Sequence, residues 1–214
     1  MLTVTLVAMD RSRLESFSDG VFAVAITLLA LNLAVDGPGH GSLLHQLGHH
    51  WPSFVAYVIS FFTIGIIWVN HHALVNNIAI VDRPLLFLNL LLLAIVVAIP
   101  FVTATMADYL TAGGQDAHVA MALYAGTFEL MGLGFTGVLE WALREDARLH
   151  RPVPAEARWA VRARFYGGQV PYLVAVGVAF VSAPAALVIT ALVAVYYVFE
   201  WTPATRRPPA PARK

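Results

Sequence analysis

Six long apolar stretches, separated by short polar links, run through this chain of 214 residues. A helix needs about 20 mostly apolar residues to cross the hydrocarbon core of a membrane. The stretches therefore predict an all-α integral membrane protein with six transmembrane helices in a single domain, residues 1–201. The predicted bounds of the spans are 17–35, 52–70, 84–106, 117–141, 165–182 and 184–201.

The composition also favours a membrane protein. The chain is 59% hydrophobic and 12% charged, whereas soluble domains are about 45 to 50% apolar and about 25% charged. A formal net charge of zero indicates no nucleic-acid partner. Because the chain contains no cysteine, disulfides, thiolate catalysis and cysteine-based zinc or iron–sulfur sites are excluded.

Both ends of the chain lie outside the predicted spans. The first nine residues are mildly apolar and precede Asp10, Arg11 and Arg13, which reverses the basic-then-apolar order of a signal peptide. We expect no export signal there, and we expect Met9 to be the native start. The tail, residues 202–214, is basic and proline-rich and is predicted to be a disordered cytoplasmic segment.

The basic residues predict an orientation in the membrane. If both termini are cytoplasmic, all 13 lysines and arginines fall on the cytoplasmic side and the three outer links contain none. This distribution follows the positive-inside rule and predicts a multi-pass protein surrounded by lipid. The high alanine, proline and arginine content suggests a bacterial source, and therefore a bacterial plasma membrane. The link from Arg144 to Arg164 is interpreted as a solvated, orientation-setting segment, with an anionic-lipid site as the alternative.

The first span contains polar groups that are costly in a membrane. Asp19, Thr27 and Asn32 lie within or beside it, and such groups usually face the protein interior or water. At about 100° per residue, one narrow stripe of the helix contains Gly20, Val24, Thr27, Leu28 and Leu31. The stripe faces either a neighbouring helix or a lumen. An aliphatic stripe also fits ordinary core packing, and the Thr27 hydroxyl also fits a bond to its own preceding carbonyl.

Two motifs make a family resemblance specific. The first helix contains Arg13-x-x-x-Phe17-Ser18-Asp19 followed by Gly-Val-Phe-Ala-Val-Ala-Ile-Thr-Leu-Leu, and the second span ends in Trp68-Val-Asn-His71-His72. These motifs resemble the transmembrane protein 175 family of potassium channels. The resemblance implies a homotetramer whose first helices surround a pore that K⁺ permeates without a cofactor. The sequence also lacks a Thr-Val-Gly-Tyr-Gly filter segment, so selectivity would come from a helix.

The resemblance also assigns roles along the first helix. Val24, Leu28 and Leu31 match the apolar constriction layers of the family, and Thr27 matches its hydroxyl layer. A ring of aliphatic side chains closes a pore by dewetting, whereas a ring of hydroxyls replaces part of a cation's hydration without adding charge. Val24 is smaller than the isoleucine or leucine usual at its layer, so we expect Leu28 to form the narrowest constriction.

A polar network is predicted at the cytoplasmic end of the first two spans. Its expected members are Arg13, Asp19, Trp68, His71 and His72. The resemblance implies that this network serves assembly and gating. An alternative interpretation is that Ser16 and Asp19 form a capping pair at the start of the first helix.

No metal site is predicted. The adjacent His71 and His72 do not converge as an i, i+4 pair would. His45 and His49 have that spacing, but no carboxylate follows nearby. If the imidazole of the network titrates near neutrality, cytoplasmic pH would alter the gate.

Three functional classes other than a channel make different demands on the sequence. A proton- or ion-coupled carrier would use Asp19, the histidines and Glu129, an intramembrane acid that could pair with Tyr124 or with a neighbouring helix. Carriers usually show inverted repeats and broken helices, and neither is visible in the sequence. An enzyme would need a catalytic constellation, which is also lacking, so no catalytic residue is predicted. A non-conducting scaffold is a further alternative, because a helix packed in its core would show the same periodicity of apolar residues as a pore helix.

Overall fold

The computed structural model describes residues 10–33 and 35–199. In these residues the chain forms seven α-helices and two short 3-10 turns. The helices are α1 (Arg11–Leu29), α2 (Leu43–His49), α3 (Trp51–Asn76), α4 (Arg83–Ala112), α5 (Gly114–Leu143), α6 (Ala155–Ala179) and α7 (Ala183–Phe199). The prediction of an all-α fold is confirmed. The predictions for residues 1–9, with Met9 as the start, and for the tail lie outside the described residues.

Four segments of the described chain are long and apolar enough to cross a membrane. They are Arg11–Asn32, Trp51–Asn76, Arg83–Ala112 and Gly114–Leu143, while Ala183–Val198 is apolar but shorter. The first half of α6 contains Arg158, Arg162 and Arg164, so only its second half has the character of a span. The count of six spans and their orientation in a membrane stay predictions.

Contacts at both ends of the bundle show that successive long helices run in opposite directions. Arg11, at the start of α1, donates from Nη1 to the carbonyl of Asn76 at the end of α3 (2.7 Å). At the opposite end, the His118 imidazole near the start of α5 lies 2.5 Å from the carbonyl of Ala179 at the end of α6. This up-and-down order is the one that short links between spans impose.

The helix boundaries follow local capping chemistry. The Asp82 carboxylate accepts a hydrogen bond from the Leu85 amide (3.0 Å) and thereby caps the start of α4. Gly113, with φ of +70°, turns the chain between α4 and α5 in a conformation that favours glycine. The Ser182 hydroxyl accepts from the Ala185 amide (3.3 Å) in the tight turn between α6 and α7. These three turns fall at the polar links that separate the predicted spans.

The start of α1 differs from the prediction. The helix begins at Arg11, where the Asp10 side chain accepts from the Ser12 amide (3.2 Å). Ser16 and Asp19 therefore lie inside the helix, so the prediction that they form a capping pair is wrong. The physical reason is that hydropathy marks where the apolar run starts, whereas a cap marks where the backbone begins to coil.

The core forms around α5, which packs against α4 and α6. A side chain on Gly134 would meet the Leu92 backbone at 3.4 Å, so glycine permits the close approach of α5 to α4. The buried residues of α1 form one stripe that faces α3 and α4, and they are Leu14, Ser18, Phe22, Ala25 and Leu29. The opposite side of α1 is left uncovered by the described chain.

A bidentate ion pair joins α5 to the charged half of α6. Arg162 donates from Nε and Nη2 to the two carboxylate oxygens of Glu140, at 2.7 and 2.8 Å. Both side chains are partly exposed, so solvent screening keeps the contribution of this pair small despite its favourable geometry.

We expect Glu140→Gln to lower the free energy of unfolding by about 0.5 kcal/mol, because one of two charge-assisted bonds is lost and the Coulombic attraction disappears. The measurement is a denaturation titration in mixed micelles. Glu156→Gln is the matched control, since Glu156 lies at the exposed start of α6 and forms no ion pair within the described ranges. Equal stability of the two variants would show that the pair contributes nothing.

Candidate functional site

The outer side of α1 presents the aliphatic stripe identified in the sequence. On α1, Val24 is 54% exposed and Leu28 37%, and Leu31, in the 3-10 turn Ala30–Asn32 that continues the helix, is 76% exposed. Gly20 and Thr27 lie exposed on the same side. The described chain leaves part of each of these residues uncovered, and this exposed surface is available to lipid, a lumen or another copy of the chain.

The Thr27 hydroxyl has its hydrogen committed to the helix. Its Oγ1 donates to the carbonyl of Val24 (2.9 Å), as expected for a hydroxyl in an apolar helix. The bond uses the single hydrogen of the hydroxyl and leaves its oxygen lone pairs available as acceptors. The exposed side of α1 therefore offers an uncharged oxygen between two aliphatic layers.

Behind this stripe, a buried polar chain ties α1 to α4 and α3. The Ser18 hydroxyl donates to the Leu14 carbonyl (2.8 Å) and accepts from Asn89 Nδ2 (3.0 Å). The Asn89 Oδ1 atom in turn pairs with His71 Nε2 (2.7 Å). All three side chains that form this chain are almost fully buried. The chain fixes the rotation of α1 about its axis, because Ser18 reaches Asn89 from one face of the helix only.

Sequence reasoning missed Asn89. The residue interrupts the most apolar run of the chain, Leu-Leu-Phe-Leu-Asn-Leu-Leu-Leu-Leu. An amide in such a run is costly unless it is paired. This cost indicates that Asn89 has a hydrogen-bond partner on another helix. The partners are 18 and 71 residues away, so the sequence does not indicate which groups pair with it.

A second polar cluster lies nearer the helix ends. Trp68 donates from Nε1 to Asp19 Oδ1 (2.8 Å). His72 Nδ1 lies 3.0 Å from Glu15 Oε1, and His72 Nε2 lies 2.9 Å from the Asn76 amide nitrogen. The structure thus brings Asp19, Trp68 and His72 together, as the sequence indicates, and adds Glu15.

Two residues of the first motif lie outside these contacts. Arg13 is exposed, and its side chain forms no hydrogen bond or ion pair within residues 10–33 and 35–199. Phe17 is 54% exposed. Both belong to the side of the helix that the described chain leaves open, and the roles of the whole motif in gating and assembly stay predictions.

Glu129 is the acid most deeply placed in the bundle. It is 6% exposed, and its Oε2 atom has no hydrogen-bond partner in the described part of the chain. The suggested pair with Tyr124 is wrong, because the Tyr124 hydroxyl bonds to Ser60 instead (2.9 Å). Five helical residues separate the two positions, which turns their side chains about 140° apart.

The outer histidines lie apart from these polar clusters. His45 and His49 lie on the short helix α2, and His50 contacts Asp36 at 3.4 Å. Across the described ranges, three potential ligands converge at one place only, which is formed by Glu15, Asp19 and His72.

Known proteins resemble this chain over the segment that contains both motifs or over nearly its whole length. A family model described as the endosomal/lysosomal potassium channel TMEM175 matches residues 13–100, which include both motifs. A potassium channel of Streptomyces collinus is 48% identical over 208 residues, covering 95% of this chain and 99% of the relative. The chain belongs to the TMEM175 family.

A second TMEM175 relative agrees in sequence and fold. A potassium channel of Chamaesiphon minutus is 35% identical over 193 residues, covering 88% of this chain and 93% of the relative. The crystal structure of a lysosomal potassium-selective channel TMEM175 homolog from the same organism superposes with a TM-score of 0.77 at 34% identity, covering 88% and 96% of the two chains. The TMEM175 relatives are ion channels, so the chain is a multi-pass membrane protein of a channel family and not an enzyme.

Proposed function

We propose that this TMEM175-family chain is a potassium-selective cation channel in the plasma membrane of a bacterium, with K⁺ as the permeant ion. The observation that carries the proposal is the match to the potassium channel of Streptomyces collinus over nearly the whole length of both chains. A similarity that extends over all the helices favours a shared function more strongly than a shared motif would.

The channel is proposed to be a homotetramer with α1 at its axis. A single helix cannot enclose a pore, so a channel of this fold requires several copies. The uncovered stripe supports this location, because Val24 and Leu28 on α1 and Leu31 in the 3-10 turn that follows are all exposed in one chain. Four such stripes facing one another would bury them around a central path.

Two layers of that path would have different tasks. A ring of Leu28 side chains expels water from a narrow pore and closes it, because a hydrated cation loses more solvation there than aliphatic walls return. Thr27 keeps its oxygen lone pairs free while its hydrogen is bound within the helix. A ring of Thr27 oxygens can therefore replace part of the hydration shell of K⁺ and is proposed to contribute selectivity.

The polar clusters behind the stripe would hold α1 in place. The buried chain through Ser18, Asn89 and His71 fixes the helix against α4 and α3, and Trp68 anchors Asp19. Rotation of α1, which would change the pore diameter, must stretch or exchange these bonds. This supports a gating and assembly role for the two motifs.

The test is ion flux from liposomes that contain the purified protein, with outward K⁺ and Na⁺ gradients compared. We expect faster K⁺ flux, and we expect Thr27→Val to reduce the ratio of K⁺ to Na⁺ flux, because valine keeps the shape of threonine and removes its oxygen. Val21→Thr, on the half-buried side of α1, is the control and should leave the ratio unchanged. Equal K⁺ and Na⁺ flux in the native protein would contradict potassium selectivity.

A coupled carrier is the second candidate, and Glu129 favours it. A buried acid with an unpartnered oxygen is a potential proton site within a membrane. A carrier that exchanges K⁺ for protons would acidify the liposome interior as K⁺ leaves, even without an imposed pH gradient. Efflux through a channel carries net charge instead, and it proceeds only when a protonophore lets protons compensate that charge. Recording K⁺ efflux and luminal pH in the same liposomes, with and without the protonophore, therefore separates the two functions.

A further inference from the structure

Two carboxylates on α1 converge with an imidazole on α3. Glu15 and Asp19 are one helical turn apart, and both face His72. One potential ligand atom from each residue lies within 4.8 Å of the other two. The group joins two helices that are far apart in sequence, so it forms only when α1 docks on α3.

The two carboxylates of this cluster lack ion-pair contact with a basic side chain of the described residues, apart from His72 itself. In the described part of the chain, neither Glu15 nor Asp19 forms an ion pair with a lysine or arginine. Arg11, one turn before Glu15, instead donates to the carbonyl of Asn76. With a neutral imidazole the cluster has a charge of −2, which a divalent cation would neutralise.

Two potential ligand atoms of the cluster form no hydrogen bond with the described residues. His72 Nδ1 is enclosed by protein and makes no hydrogen bond, although Glu15 Oε1 lies 3.0 Å away. Trp68 occupies Oδ1 of Asp19, and no hydrogen bond is formed by Oδ2 within residues 10–33 and 35–199. An enclosed imidazole nitrogen that faces two carboxylates without a hydrogen bond is an arrangement that a metal ion would satisfy.

We propose that Glu15, Asp19 and His72 bind a divalent first-row transition-metal ion, with Zn²⁺ as the best fit. Zinc accepts imidazole nitrogen and carboxylate oxygen at about 2.0 to 2.2 Å in tetrahedral geometry, and it often keeps one water among four ligands. Such bonds place ligand atoms about 3.4 Å apart. Rotation of the two flexible carboxylates would contract the present spacing to that value.

The surroundings of His72 suit a metal ligand. A ligating imidazole usually donates its second ring N–H to an oxygen, which fixes the ring orientation. His72 Nε2 lies 2.9 Å from the Asn76 side-chain amide, and rotation of that amide by 180° would present its oxygen instead. Mg²⁺ prefers an octahedral shell of oxygens, so the imidazole favours Zn²⁺, Ni²⁺ or Co²⁺ over Mg²⁺.

A metal ion here would fasten α1 to α3 beside the uncovered stripe, since Asp19 directly precedes Gly20. Any effect of the metal on ion flux rests on the proposed channel function. Binding of the metal does not depend on the channel function, so the experiment measures binding. A protein that binds no metal would leave the channel proposal untouched.

The experiment is isothermal titration of Zn²⁺ into the tag-free, purified full chain, with Mg²⁺ titrated in parallel. The absence of cysteine removes thiolate binding as a background. The reference protein combines His45→Ala with His49→Ala, which eliminates the i, i+4 pair of the outer link. We expect one Zn²⁺ per chain in this reference, no measurable Mg²⁺ heat, and at least about tenfold weaker Zn²⁺ binding in Glu15→Gln and in His72→Gln.

Matched controls separate ligand loss from general damage. Glu156→Gln and His150→Gln remove an exposed carboxylate and an exposed imidazole elsewhere on the cytoplasmic side of the predicted topology, and both should bind Zn²⁺ like the reference. Quenching of Trp68 fluorescence by Ni²⁺, absent in Trp68→Phe, is a second readout beside the site. No Zn²⁺ binding by the reference, or equal binding by the Glu15 and His72 variants, would overturn the proposal.

Discussion

Leu28→Ala is expected to raise K⁺ flux through reconstituted protein about tenfold. If Leu28 forms the narrowest layer of a pore on α1, shortening its side chain in every subunit widens the constriction and lets water and hydrated K⁺ enter. A tenfold change corresponds to about 1.4 kcal/mol off the barrier, a modest fraction of the cost of dehydrating a cation. The measurement is K⁺ efflux from liposomes at matched protein content.

The control for this change is Leu130→Ala, which truncates another exposed leucine, on α5 rather than α1. This variant should conduct like the native protein. Unchanged flux in Leu28→Ala together with a rise in Val24→Ala or Leu31→Ala would move the narrowest layer along the helix. Unchanged flux in all three variants would rule out an aliphatic gate on α1.

Asn89→Leu is expected to lower the free energy of unfolding by about 2 kcal/mol. Leucine has the same branched arrangement of four side-chain heavy atoms as asparagine but cannot accept from His71 or donate to Ser18, so the His71 N–H is left buried without its partner. A buried donor that loses its acceptor costs about 1 to 3 kcal/mol, although polar bonds between membrane helices often contribute less. A denaturation titration in mixed micelles gives the value.

Two further variants test the reason for that loss. Asn70→Leu removes a half-buried amide whose nitrogen bonds within its own helix, to Ile66 (3.0 Å), and should cost less than about 0.5 kcal/mol. Adding His71→Leu to Asn89→Leu removes the orphaned donor and should restore part of the stability. If Asn89 and His71 are not bonded, the losses in the free energy of unfolding of the two single variants will simply add in the double variant. Additive losses would therefore contradict a direct bond between the two residues.

Asp19 and Asn89 differ in how much of their contacts the local sequence predicts. Asp19 stood out because a recognisable motif surrounds it, and its contact with Trp68 followed from placing two antiparallel spans at equal depth. Asn89 has no motif around it, and its partners lie on two other helices. The direction in which a buried side chain points depends on the packing of all three helices, which local sequence does not encode.

The same limit applies to Glu15 and to the pairing of His72. The two adjacent histidines were judged by the spacing within their own helix, and that spacing excludes a joint metal site. The structure shows that His72 meets side chains of α1 instead. Ligand sets formed between helices have no periodicity in the sequence, so a search by spacing overlooks them.

The sequence by itself determined that this is a helical membrane protein, where its apolar segments and links fall, and which family it resembles. These follow from local quantities: the length of apolar runs, the residues that cap and turn helices, and two short motifs. Only the tertiary structure decided that the Tyr124 hydroxyl bonds to Ser60 and that Ser18, Asn89 and His71 form one buried chain. These depend on the rotation and depth of each helix against its neighbours, which long-range packing sets.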